Sequence, residues 1–212
     1  MTHLQKLNLS GTKIKNLNSL TNLSELQELN LEHTKINGLL PLINLKKLTK
    51  LNLKRSVIAE VNTLSKLSPL KILNLSFTLV SNISALKNLT HLQELSLEGT
   101  QIEEVEALKN LTHLNLLNLQ KTLIFDVRPL KNLQSLTFLN LAEVPASSLD
   151  GLEELPQLKL LFCEGSTPKK EELRQLMINK PNLEIITDPR EIPKDINPLL
   201  YDAKNYFVRF PQ

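Results

Sequence analysis

Leu4, Leu26, Leu48, Leu70, Leu92, Leu114, Leu136 and Leu158 stand 22 residues apart without a slip, and a fixed period of that length restricts the fold more than any composition does. Each of these leucines opens the pattern LxxLxLxxTxIxxLxxLxxLxx, intact in LQELNLEHTKINGLLPLINLKK. The apolar spacing changes inside the unit. Leu29 and Leu31 alternate with polar neighbours, the mark of a half-buried strand. Ile36, Leu39, Leu42 and Leu45 then recur every third residue, a period of 3-10 turns or a polyproline-like path rather than an α-helix. Neither half can bury its leucines alone. The units must stack, each giving one strand and one tight return.

This pattern resembles the leucine-rich repeat proteins, and the unit is similar to that of the bacterial internalins and of the leucine-rich regulatory subunit of protein phosphatase one. The resemblance covers residues 4 to about 186. It implies an α/β fold, a right-handed leucine-rich repeat solenoid with a parallel concave sheet of about nine strands and short 3-10 or irregular convex segments. One departure stands out. Where those families usually place Asn at the turn after the strand, this sequence has Thr12, Thr34, Ser56, Thr78, Thr100 and Thr122. A hydroxyl there can satisfy a backbone group of the neighbouring turn, with one donor where an amide has two.

Val144 replaces the turn Thr in the seventh unit, and the eighth lengthens through STPKKEELRQLMINKPNLEII. There Thr167 and Pro168 give an N-cap and first-turn signal, and Leu173, Leu176 and Met177 are expected on one face of a true α-helix that stops before Pro181. Leu183, Ile185 and Ile186 predict a last strand. Residues 1–186 are therefore expected to form the solenoid, with eight repeats starting near residue 4 and the last modified as a cap, and residues 187–212 a tail. The N-terminal strand, around Lys6 to Leu9, has no cap before it. An edge of that kind invites pairing, so either the natural protein extends further or the edge meets another chain.

Strand residues between the leucines point away from the core, so the concave face can be read by column. The middle column is Asn8, Asn30, Asn52, Asn74, Ser96, Asn118, Asn140 and Phe162. An Asn ladder can hydrogen-bond along the stack or hold a ligand. The flanking column runs Lys6, Glu28, Lys50, Ile72, Glu94, Leu116, Phe138 and Leu160. Its first half alternates charge, as cross-strand pairs do. Its second half is apolar, with Ile185 expected to continue it, and a contiguous apolar patch on a face that should be wet points to a partner or a covering segment. Lys50, Lys54 and Arg55 form a basic spot beside Glu28, Glu32 and His33, with Phe77 next to it. Lys50, Lys54, Arg55, Ile72, Phe77, Leu116, Phe138, Leu160 and Phe162 are the candidate partner-binding residues.

Chemistry-bearing motifs are missing. No phosphate loop, nucleophile elbow or metal motif occurs. His3, His91 and His113 share the position before a unit's first leucine, but a metal would need further ligands converging there. Cys163 takes a strand-leucine position and is expected to be buried and inert. No catalytic residue, metal or cofactor is expected. The formal net charge of +3 and Lys/Arg runs of at most two residues give no support to a nucleic-acid partner. No leader and no membrane-spanning stretch is seen. That favours a cytoplasmic chain, with secretion by a route not visible in this sequence as the alternative. The expected role is a non-catalytic protein-protein interaction module, or scaffold, that binds a protein partner through its concave face. The alternative is an assembly protein that self-associates through the N-terminal edge or the tail.

The tail, TDPREIPKDINPLLYDAKNYFVRFPQ, holds Tyr201, Tyr206, Phe207 and Phe210, four of the eight Phe and Tyr residues of the chain. Pro189, Pro193 and Pro198 oppose a helix through its first half. Disordered segments are poor in aromatics, so these four are expected to dock. Three destinations stay open: the C-terminal cap, the concave apolar column in competition with a partner, or another protein or second copy. The residues from Thr187 to Leu200 reach roughly 45 to 50 Å when extended, enough for either internal destination.

Overall fold

The computed structural model describes residues 3–166, 168 and 170–187. Among the described residues the expected alternation in each unit gives nine three-residue strands: β1 (Lys6–Asn8), β2 (Glu28–Asn30), β3 (Lys50–Asn52), β4 (Ile72–Asn74), β5 (Glu94–Ser96), β6 (Leu116–Asn118), β7 (Phe138–Asn140), β8 (Leu160–Phe162) and β9 (Glu184–Ile186). They pair in parallel, in sequence order, as one open sheet. Between them the every-third-residue pattern forms 3-10 turns, such as Leu40–Asn44, Asn62–Lys66 and Ser84–Asn88. Each turn is closed by bonds such as Leu45 N–H to the Leu42 carbonyl at 2.9 Å. One α-helix, α1 (Lys170–Asn179), replaces the 3-10 turn before β9.

The template leucines fill a single continuous core. Leu29, Leu31, Ile36, Leu42 and Leu45 of the second unit are fully buried, as are their counterparts through the sixth. The first unit differs, because Leu4, Leu7, Leu9 and Ile14 are only half-buried at the open edge. Backbone pairing outlasts the strands. Leu9 N–H donates to the Asn30 carbonyl at 2.8 Å and His33 N–H to that of Lys54 at 2.8 Å, so each unit is tied to the next for several residues past the strand.

That extension needs a left-handed residue two positions beyond the last strand leucine. His33, Arg55, Phe77, Lys121 and Glu143 have φ of 55 to 57°, and Gly99 fills the same slot at 64°. Side-chain residues there cost about 1–2 kcal/mol each, offset by a ladder bond at the same residue. The turn hydroxyls act within their own turn, which corrects the expected bond to the neighbouring one. Thr100 Oγ1 donates to the Leu97 carbonyl at 2.6 Å, and Thr34, Thr78 and Thr122 repeat the contact with Leu31, Leu75 and Leu119. A short side chain in that turn meets the carbonyl three residues back before it can reach another unit. Ser56 occupies the same slot, but its hydroxyl is buried with no hydrogen-bond partner among the described residues.

At the C-terminal end Leu173, Leu176 and Met177 share one face of α1, as their spacing requires, but that face is not buried throughout, and one other expectation needs correction. Of the three residues assigned to one face of α1, Leu176 is buried and Leu173 half-buried, whereas Met177 is 55% exposed. The helix meets the solenoid along a strip too narrow to include Met177. The capping residue Thr167 lies outside the described residues. Ile185 does not continue the concave column: it pairs with Leu161 and faces the core, while Ile186 pairs with Phe162 on the concave side. The step from β8 to β9 is 24 residues, and Leu183 enters the core one residue nearer its strand than earlier units would place it. A one-residue change reverses which face a strand residue takes.

The two kinds of turn hydroxyl predict different mutational costs. Thr100→Val is expected to lower unfolding free energy by about 1 kcal/mol, whereas Ser56→Ala should be neutral or slightly stabilising, because only the first loses a hydrogen bond. Urea denaturation of both variants checks this.

Candidate protein-binding face

The strand residues that point away from the leucine core make one concave face. On its N-terminal side the charge alternation becomes real ion pairs: Glu28 lies between Lys6 at 3.2 Å and Lys50 at 3.4 Å. Glu28 is the most enclosed of the three, and the pairs hold β1, β2 and β3 in register as well as adding a modest electrostatic gain. The Asn column bonds both locally and along the stack. Asn52 Oδ1 accepts the Lys54 N–H at 3.0 Å and Asn74 Oδ1 the Ser76 N–H at 2.9 Å. The amide nitrogens reach the preceding unit, Asn52 Nδ2 donating to Glu32 Oε2 and Asn140 Nδ2 to Gln120 Oε1, both at 3.3 Å. Asn118 Nδ2 is buried without a hydrogen-bond partner among the described residues.

The candidate residues fall into two groups. Lys50 and Ile72 are half-buried and Arg55 is exposed. Phe77, 37% exposed, carries the Arg55 guanidinium 5.6 Å from its ring centroid, a cation-π contact. Its other neighbour is Gly99, where a Cβ would come within 2.6 Å of the Phe77 ring. Lys54 belongs to the same spot by sequence but is only 4% exposed.

The second group is a compact apolar cluster. Leu116, Phe138, Phe162 and Ile186 pack together with Leu160 at their edge, separate from the main core, and the Phe138 and Phe162 rings lie 5.4 Å apart. The sequence predicts a wet face here. In the structure the first four are 3 to 8% exposed. Burial also reaches the polar residues beside them. Removal from water pushes the Glu98 carboxyl above its ordinary range despite the opposing pull of Lys54, Lys121 and Arg55. Glu94 shifts the same way, burial again outweighing Lys50. Cys163, in the neighbouring core column, is pushed up to about 11 by burial, so its thiol is held protonated. The tail residues Tyr201, Tyr206, Phe207 and Phe210 lie outside the described residues.

Sequence reading missed a set of apolar residues on the flank. Val57, Leu79 and Leu123 follow the turn hydroxyl residue in their units and are 40 to 61% exposed, with Phe125 nearby at 59%. Comparing that column with Lys13, Lys35 and Gln101 would have found them. On the convex side an open groove lies between the 3-10 turns Ser84–Asn88 and Glu106–Leu108, lined by Ile83, Lys87, Glu104 and Lys109. His91 and His113 stack at 6.4 Å, and His113 Nδ1 lies 3.0 Å from the Thr90 carbonyl. Among the described residues no group of three metal-ligating side chains converges, and no helix is long and apolar enough to cross a membrane.

The family described as Leucine Rich repeats (2 copies) matches residues 70–110. A comparison with curated protein sequences returned no match. Among solved structures, the chain is similar to the internalin inlF of Listeria monocytogenes, with 26% identity and a TM-score of 0.83, over 87% of this chain and 54% of that one. It is also similar to internalin C2 of the same organism, with 27% identity and a TM-score of 0.80, over 86% of this chain and 80% of that one. A plant peptide hormone receptor, RGFR1 in complex with RGF2, shares the fold at 19% identity and a TM-score of 0.69, over 86% of this chain and 32% of that one. The chain thus spans about half the length of inlF.

Two expectations follow from this geometry. Gly99→Ala combines a strained φ with displacement of the Phe77 ring and should lower stability by about 2 kcal/mol, measured by urea denaturation. Glu98→Gln should raise the melting temperature at pH 7.5. A carboxyl whose folded pKa is raised binds its proton more tightly in the native state, so its ionised form destabilises the fold at neutral pH. Below its ordinary pKa of 4.5 it is protonated in both states. The advantage of Gln should therefore shrink as pH falls towards that value, which a melting series over pH resolves.

Proposed function

The chain is a leucine-rich repeat protein similar to bacterial internalins, and we propose that it binds a protein partner through its concave face without catalysing a reaction. Such proteins are protein-protein interaction modules, typically non-enzymatic, and stacked repeats supply the extended concave surface that such binding uses. The peptide-bound plant receptor is one example of a ligand held by this fold.

The observation that supports this face is its break with the repeat. Equivalent positions in β1, β2, β3 and β5 carry Lys6, Glu28, Lys50 and Glu94, and the core needs nothing more of them. Ile72, Leu116, Phe138 and Leu160 depart from that rule, Phe162 replaces the Asn of the neighbouring column, and Lys50, Lys54, Arg55 and Phe77 border them. Aromatic and Arg side chains are those that carry interface energy most often. We assign the binding role to these nine residues, on a solenoid comprising residues 1–186.

A second reading, self-association, is favoured by the half-buried Leu4, Leu7 and Leu9 at the open β1 edge. Light scattering separates the two, since a monomer at all concentrations sinks assembly. For partner binding, the immobilised chain is compared with two double variants, Ile72→Glu with Phe77→Ser and Phe138→Glu with Leu160→Glu. Capture of a partner by the first should fall about tenfold or more. Equal recovery by the original chain and both variants would place the binding site elsewhere.

A further inference from the structure

The cluster of Leu116, Phe138, Phe162 and Ile186 is buried on the wrong side of the sheet. The leucine core covers one face of β6 to β9, and these residues project from the other. Neighbouring strands shield only their flanks. Among the described residues no helix or strand is stacked over that face, since the strands contact one another in sequence order and α1 meets the 3-10 turn Leu152–Glu154. Yet exposure there falls to 3 to 8%, and Lys54, Ser76 and Glu98, further along the same face, are at 7% or below. At the outer end of the sheet, Lys6, Asn8 and Ser10 in the same columns are exposed. A second flanking strand, which β1 lacks, shields only the sides of these residues, so burial this deep of side chains as long as Lys54 and Phe138 points to a layer over the face.

The chain has a segment placed to be that layer. Thr187 follows Ile186, itself a member of the cluster, so the segment 188–212 is tethered one residue from the cluster. These 25 residues reach at most about 80 Å, whereas β9 and β3 are separated by roughly 29 Å at ordinary strand spacing. Leu199, Leu200, Tyr201, Tyr206, Phe207 and Phe210 make the segment's composition that of a buried one. We propose that residues 188–212 occupy the concave face of their own chain, with their aromatic residues seated on Leu116, Phe138, Leu160, Phe162 and Ile186. A second copy would supply the same groups, but only at a concentration-dependent cost that an attached segment avoids. The occupant leaves Lys50, Arg55, Ile72 and Phe77 as the part of the face open to another protein. A partner that uses the apolar cluster must displace the segment first. The inference stands without any partner, so its failure and that of the proposed function are separately visible.

The sequence provides its own reporter, because Tyr201 and Tyr206 are the only two tyrosines and there is no tryptophan. Acrylamide quenching of tyrosine fluorescence in the full chain is expected to be several-fold weaker than in a synthetic peptide of residues 188–212. In the full-chain variant Phe138→Glu with Phe162→Asn it should rise to the peptide's level. That variant restores residue types that the solenoid already accepts at Glu94 and Asn140, and circular dichroism checks that it is folded. Quenching of the unmodified chain equal to that of the peptide overturns the proposal outright. So does unchanged protection in the folded variant. Protection that disappears on dilution assigns the occupant to a second copy, which also overturns it.

Discussion

Everything in this molecule depends on the contact of one unit with the next. A 22-residue unit exposes both the strand leucines and those of its 3-10 turn, and only a neighbour in register covers them. The structure meets that need with parallel strands of three residues and a backbone ladder that continues past them, as in Leu31 N–H to the Asn52 carbonyl at 2.8 Å. The left-handed residue at His33, Arg55, Phe77 and Lys121 is part of the same device. It turns the chain while keeping its N–H in the ladder, which is why bulky residues are tolerated where Gly would be the easier choice.

A core built from the alternate face of each strand leaves the other face free to vary. Charge pairs hold one end, where Glu28 bridges Lys6 and Lys50. The other end turns apolar. The transition falls between β5 and β6, and there the electrostatics change too: Glu94 and Glu98 are raised by burial even with lysines close by. Lost hydration outweighs nearby opposite charge only where water is largely excluded. The two carboxyls thus feel the same loss of water that buries the apolar cluster.

The fold was legible because its signal is repeated. Strand position, 3-10 return and sheet direction follow from leucine spacing that recurs too often to be accidental, and the C-terminal helix from its own capping signal where that spacing breaks. The candidate face was legible in part. Column reading found Leu116, Phe138, Leu160 and Phe162, since outward residues keep their register from unit to unit. It placed Ile185 where Glu184 lies, because the step before β9 is not 22 residues and no template fixes it. It also expected the turn Thr to reach its neighbour, a choice that depends on side-chain distances of a few tenths of an ångström, which spacing does not encode. The Asn column does bond between units, at Asn52 and Asn140, though to Glu32 and Gln120 rather than to another Asn.

By itself the sequence determined the unit, its stacking direction and the side of the sheet on which each leucine lies, because hydrophobic burial leaves a 22-residue repeat no other way to hide its leucines. Only the tertiary structure decided how wet the opposite face is. Phe138 and Phe162 read as exposed in any strand pattern, and their burial, like that of Lys54, is a property of what surrounds a face rather than of the residues that form it. Periodicity is local and repeats with each unit. Solvent exclusion is set once, by the whole assembly of the chain.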